Sequence, residues 1–271
     1  MEKYELLLAK LANDNMSGAE QLVPKAIDAL CAAAEDKDAD DEELAQMLEM
    51  LVATIKDKLP ELTPLIRLAD RIEKLPKERL REAALKLAQE VGETREREVA
   101  SVAQLAANLI RENSTVATIS QSSTVLNALS TAKSSGKDFY VIIPVSEPAG
   151  EGRIAAMTLA EMGIDVSLIP DAAVALAAQR ADVIFVGADA ITREFFLNKT
   201  GTLALAIAAR HYGVPFYVLT RLEKFILAER LLKAGRMIGP EEIEPPEHEL
   251  ITASAPLFEK IPHILVTGIV T

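Results

Sequence analysis

Residues 183–220 read VIFVGADAITREFFLNKTGTLALAIAARHYGVPFYVLT. The run Val183–Val186 is apolar at every position, which suits a strand covered on both faces, and it stops at Gly187-Ala188-Asp189. An uneven loop leads to Asn198-Lys199-Thr200-Gly201-Thr202, where a helical pattern starts that Gly213 should end. PFYVLT is then a second strand. A strand, a crossover helix and another strand form the unit from which parallel sheets are built.

Upstream, TVATI, FYVIIPV and DVSLIP are further strand-like runs, separated by the helical stretches TVLNALSTAKSSG, GRIAAMTLAEMG and AAVALAAQRA. Gly163 marks another helix end. ILVTGIVT, at the end of the sequence, suits one more strand or a segment docked in a partner. Residues 113–271 are therefore expected to form a Rossmann-like, mostly parallel α/β/α domain. Residues 1–112 carry a different message. GAEQLVPKAIDALCAAAEDK, DEELAQMLEMLVATIKDKL, LTPLIRLADRIEKL, ERLREAALKLAQEV and REREVASVAQLAANLI return apolar residues every three or four positions, the period of amphipathic helices. Ser17 or Asp41 is a candidate helix start, Gly92 a candidate stop, and Pro60, Pro64 and Pro76 punctuate the series. A helical N-terminal domain is predicted.

The bulk properties narrow the function. The chain has 271 residues, 49% of them hydrophobic, with a formal net charge of −12 and no basic tract. That balance argues against direct nucleic-acid binding and against anionic membranes. No apolar run approaches the roughly 20 residues of a membrane span, and the acidic residues in the opening turns are unlike a secretory signal. A cytoplasmic protein is the expectation. Cys31, the only cysteine, reads as packing, and His211, His248 and His263 share no ligand spacing, so no metal site is expected. No G-x-G-x-x-G or P-loop follows a strand, so no cofactor is expected either.

In a parallel sheet, ligands gather beyond the carboxyl ends of the strands. Three loops are placed there: Ser120–Thr124 (SQSST), Ser146–Arg153 (SEPAGEGR) and residues 187–202. Ser120, Gln121, Ser122 and Ser123 can cap the following helix or hold a phosphate. Ser122 lacks a neighbouring base for nucleophilic work. Arg153 can grip an anion in a fork, or pair with Glu151 or another acid. Asp189 suits acid–base chemistry or sugar hydroxyls, and equally a cap for the next segment. Lys199 can neutralise a phosphate while Gly201 and Thr202 offer donors at a helix start, or it can sit in an ion pair.

The blocks VIFVGADAI, NKTGTLALAIAARHYGVPFYVLT and EGRIAAMTLAEMGIDVSLIPDAAVA resemble the family of the alpha, beta and delta regulatory subunits of translation initiation factor 2B. That family also includes 5-methylthioribose-1-phosphate isomerase and ribose-1,5-bisphosphate isomerase. The resemblance implies that Asp189 matches the isomerases' catalytic aspartate, and that Asn198 and Lys199 match a pair contacting substrate. It places Ser122 where the isomerases carry a catalytic cysteine, and a serine hydroxyl is far harder to ionise than a thiol. It also places Glu147-Pro148 where they carry an Arg-Pro pair for substrate phosphate. Ser17-Gly18 stand as a poor remnant of their Arg-Gly substrate loop. The resemblance therefore implies a non-catalytic regulatory subunit that acts through protein–protein contacts and binds a nucleotide or sugar phosphate. The alternative is an aldose–ketose isomerase of a ribose 1-phosphate derivative, with Asp189 and Ser122 as its catalytic residues. A homo-oligomer, at least a dimer, and the alpha subunit of initiation factor 2 are the implied partners.

Overall fold

The computed structural model describes residues 2–13, 19–59, 62–227 and 237–271, so Ser17, Gly18 and Pro60 lie outside the described residues. The chain divides into two compact units, Met1–Arg97 and Glu98–Thr271. Among the described residues, no helix is long and apolar enough to cross a membrane.

The first unit contains α1 (Glu2–Ala12), α2 (Ala19–Glu35), α3 (Asp41–Lys58) and α4 (Thr63–Ile72), and α5 (Leu80–Leu109) begins in it. Leu22, Leu30, Leu44, Leu51, Ile55 and Leu65 are fully buried in its core, as their helical spacing requires. The cap of α3 is Asp40, one residue before the expected Asp41. Its carboxylate accepts from the Glu42 and Glu43 N–H groups at 2.9 Å, and Glu43 accepts in return from the Asp40 N–H at 3.0 Å. Arg81 fixes the α2–α3 connection by donating to the carbonyls of Ala34, Asp36 and Ala39 at 2.6–2.7 Å. Gly92 does not end a helix. It lies inside α5, which covers both of the last two amphipathic runs. A glycine costs about 1 kcal/mol there, and the Ala, Glu, Leu and Arg around it favour helix strongly enough to continue.

The second unit continues with β1 (Ser114–Ala117), α6 (Ser123–Ser134), β2 (Phe139–Pro144), α7 (Glu151–Glu161), β3 (Asp165–Ile169), α8 (Val174–Arg180) and β4 (Val183–Val186). Next come β5 (Ala190–Ile191), β6 (Phe195–Lys199), α9 (Thr202–Tyr212) and β7 (Phe216–Leu219). The described remainder holds β8 (Met237–Ile238), α10 (Pro240–Ile243), β9 (Ala255–Pro256), β10 (Phe258–Pro262) and β11 (Gly268–Val270).

Six parallel strands form the main sheet in the order β11-β7-β4-β1-β2-β3. The chain lays strands outward from β1, returns to place β4 on the other side of β1, and then builds outward again. This is the Rossmann order, and it reverses between β1 and β4. Val116 pairs with Val141 on one side and Val183 on the other. Ala117, Ile184 and Val186 pack in one cluster with Ala177, Leu205 and Ala209, from α8 and α9. Val116, Val183 and Phe185 pack in a second with Val102, Ala106, Ala128 and Leu129, from α5 and α6. Both sheet faces are thus covered, which is why the strands carry no polar alternation. The final apolar run supplies β11, parallel to β7.

Residues 187–202 are not one loop. β5 and β6 form an antiparallel hairpin, and β10 adds to β6 to make a three-stranded sheet. The turn is set by Thr192, whose hydroxyl donates to the Phe195 carbonyl at 2.8 Å and accepts from the Phe195 N–H at 3.1 Å.

Candidate functional site

The strand-order reversal brings the ends of β1 and β4 side by side, with β2 and β7 flanking them. Ser122 leaves β1 as the N-cap of α6, its Oγ accepting a long 3.4 Å hydrogen bond from the Val125 N–H. A Cβ at Gly187, just past β4, would lie 2.5 Å from that Oγ, so glycine is what admits Ser122 at the reversal. Ser120 adopts a left-handed backbone (φ 61°) and donates its N–H to Ser146 Oγ at 2.9 Å. Gln121 is exposed. Ser123 Oγ, Thr118 Oγ1 and Thr220 Oγ1 are buried with no hydrogen-bond partner among the described residues.

Asp189 is held by its backbone N–H on the Leu197 carbonyl, 2.8 Å away. Protein surrounds it closely enough that desolvation raises its carboxyl pKa above the ordinary aspartate value, against the opposing pull of Lys224 and Lys199. The residue nonetheless keeps an exposed surface. Lys224, in the turn after β7, is 7% exposed. Among the described residues its ammonium makes no hydrogen bond or ion pair, so its charge is left to act on Asp189.

The second loop is tightly fixed. The Asp171 carboxylate accepts from the Ser146 and Glu147 N–H groups at 2.7 and 2.8 Å. A side chain at Gly152 would run into the Pro144 carbonyl. Arg153 pairs with Glu147 at 3.1 Å, both groups more than half exposed. Glu151, the first residue of α7, reaches Lys199 with both oxygens, at 2.8 and 2.9 Å. Lys199 is 3% exposed and Glu151 26%.

Asn198 is buried and donates to Thr202 Oγ1 at 2.9 Å, while the Thr202 hydroxyl donates to the Lys199 carbonyl at 2.6 Å. The N–H groups of Gly201 and Leu203 both donate to one Glu259 oxygen at 2.8 Å. A carboxylate delivered by β10 thus occupies the start of α9, where free donors for a phosphate were expected. The structure gathers Asp189, Lys199 and Lys224 electrostatically. It joins Asn198 to Thr202, and it turns Arg153 onto Glu147.

Lys224, Glu259 and Asp171 escaped the sequence reading, and Glu151, read there as a possible partner of Arg153, pairs with Lys199 instead. Lys224 carried a usable signal, because a charged residue just beyond a strand is the placement that drew attention to Asp189. Among the described residues, no cluster of His, Cys, Asp and Glu has the makings of a metal site. Chemically, the site offers one carboxylate, Asp189, whose pKa is raised by desolvation, and one ammonium, Lys224, that makes no ion pair among the described residues. The other two candidate cations are already neutralised by glutamates of the 146–153 loop.

A helical unit and a Rossmann-order sheet with polar and charged side chains gathered near its reversal define a two-part α/β protein. The chain belongs to the initiation factor 2 subunit family, whose model matches residues 15–271. It is 31% identical to a translation initiation factor eIF-2B subunit 2-like protein of Pyrococcus furiosus, over 100% of this chain and 95% of that one. It is 33% identical to a ribose 1,5-bisphosphate isomerase of Methanocaldococcus jannaschii, over 64% of this chain and 58% of that one. The solved structure of the Pyrococcus horikoshii translation initiation factor eIF-2B superposes with a TM-score of 0.82 at 29% identity, covering 100% of this chain and 95% of that one. The family thus holds both initiation-factor-like proteins and sugar-phosphate isomerases.

Proposed function

We propose that this chain is a non-catalytic, regulatory-subunit-like member of the family, acting in the cytoplasm through protein–protein recognition. The observation that carries this reading is the fate of Lys199, which would hold a substrate phosphate in an isomerase but here is held by Glu151. Two further features support it. Ser122 stands where the isomerases carry cysteine, and its hydroxyl serves as a helix cap. Glu147 stands where they carry the Arg of an Arg-Pro pair, and it neutralises Arg153. The proposed partners are further copies of the chain, in at least a dimer, and the alpha subunit of initiation factor 2. A ligand of the site would be a phosphorylated small molecule bound without conversion.

The second reading is an isomerase of a ribose 1-phosphate derivative, and the raised carboxyl pKa of Asp189 favours it. Asp189 would move a proton between C1 and C2 of the opened aldose, giving the ketose. Ser122 would then have to replace a thiol. Incubation with ribose 1,5-bisphosphate and with 5-methylthioribose 1-phosphate, with direct detection of the ketose products and AMP tested as an activator, separates the two. The regulatory reading expects no conversion by folded protein. Conversion abolished by Asp189→Asn would replace it with the isomerase.

A further inference from the structure

The pairing of Lys199 with Glu151 says more than that one cation is occupied. Lys199 is 3% exposed, and an ammonium that deep is strongly destabilising unless an anion accompanies it. Glu151 supplies that anion from a position the chain fixes on both sides. Before it, Asp171 holds the backbone of Ser146 and Glu147. After it, Gly152 lies against the Pro144 carbonyl, with its N–H on the Val145 carbonyl at 3.0 Å. Glu151 also sits at N1 of α7, where the helix dipole favours a negative charge. Both carboxylate oxygens contact Nζ, leaving the ammonium little capacity for another anion.

We propose that Glu151 is a built-in counterion that closes the anion subsite around Lys199, and that it sets the site's specificity against ligands presenting a phosphate at that position. A phosphate group offered to Lys199 must displace a carboxylate tethered beside it. Tethering on a short segment gives an effective concentration of about millimolar or higher, before any advantage from the rigid loop. The dianion would also approach Glu151 itself, and like charges at such separations repel. A phosphorylated ligand therefore carries its phosphate away from Lys199, on the Lys224 side, and meets the Lys199 side through hydroxyl or other neutral polar groups. This rests on the regulatory reading for the assignment of the site and gives the reason that the site does not process sugar phosphates.

The test titrates inorganic phosphate into the full-length chain and follows binding by phosphorus NMR. Wild type, Glu151→Gln, Glu151→Ser and the double variant Glu151→Gln/Lys199→Met are compared, each checked for native circular dichroism. Glu151→Gln keeps the side-chain shape and an oxygen for Nζ but removes the charge, so Lys199 must take its anion from solution. Phosphate affinity is expected to rise at least about tenfold over wild type, and the double variant is expected to lose the gain. Glu151→Ser reads the same effect should the glutamine variant fail to fold. The proposal is overturned if neither single variant gains affinity, or if the double variant keeps the gain. Turnover by the wild type would instead overturn the regulatory reading, so the two failures are told apart by different measurements.

Discussion

The two units of this chain bury different things. In Met1–Arg97, Thr63 is the one buried polar residue among those described, and the core is leucine, isoleucine, valine and alanine with Tyr4 and Met47. In Glu98–Thr271 the buried polar set includes Asn198, Lys199, Arg221 and Lys224, gathered at the carboxyl ends of strands or just beyond them. Polar groups are buried at a cost, and a fold without a use for them replaces them with apolar packing. The helical unit has made that replacement almost completely. The sheet unit has kept its polar residues, and it satisfies Lys199 with a glutamate where a ligand would otherwise serve. The first unit is therefore read through its packing and the second through its charge.

Substitutions sharpen this contrast. Leu51→Ala, in the helical core, is expected to cost about 2–5 kcal/mol in urea unfolding, since it removes a fully buried side chain and leaves a cavity. A much smaller loss would mean that this core is looser than its burial indicates. Gly152→Ala forces a methyl onto the Pro144 carbonyl and is expected to cost about 1–3 kcal/mol. Asp40→Ala removes the cap of α3 and is expected to cost about 1 kcal/mol, seen as a lower urea midpoint.

Asp189→Asn should act with the opposite sign. Burial raises the folded-state pKa of Asp189 above its unfolded value, so between those values the folded protein keeps a proton that the unfolded chain releases. Stability attributable to this group falls as pH rises through that window, and the penalty persists above it. Asparagine should make the protein more stable at neutral pH, with the gain fading as pH drops towards about 4, the ordinary aspartate range. A loss of stability at pH 7 would show that attraction from Lys224 and Lys199 outweighs desolvation. Arg153→Ala, which breaks an exposed pair, is expected to change stability by less than about 1 kcal/mol, because solvent screens the ion pair.

The fold was legible where its signal is local. Each apolar run upstream of residue 183 that was assigned to the sheet became a strand there, and the intervening helical patterns became α6, α7 and α8. The β5–β6 hairpin was not legible, because its stabilising partner β10 lies some sixty residues downstream and pairing at that distance leaves no local pattern. The same limit hid half the candidate site. Asp189 and Lys199 stood out as charges beside a strand and a helix start, but their partners come from elsewhere in the chain. Glu151 meets Lys199 across 48 residues, and Glu259 meets the start of α9 from 56 residues beyond Leu203. Lys224 was passed over although it follows a strand closely, because its burial is set by tertiary packing.

The most direct test of the central claim, that Glu151 holds the place of an external anion, is a crystal structure of the wild-type chain soaked in phosphate. Both Glu151 oxygens are expected on Lys199 Nζ, with no phosphate beside it. A phosphate seated on Lys199, with Glu151 swung away, would contradict that claim.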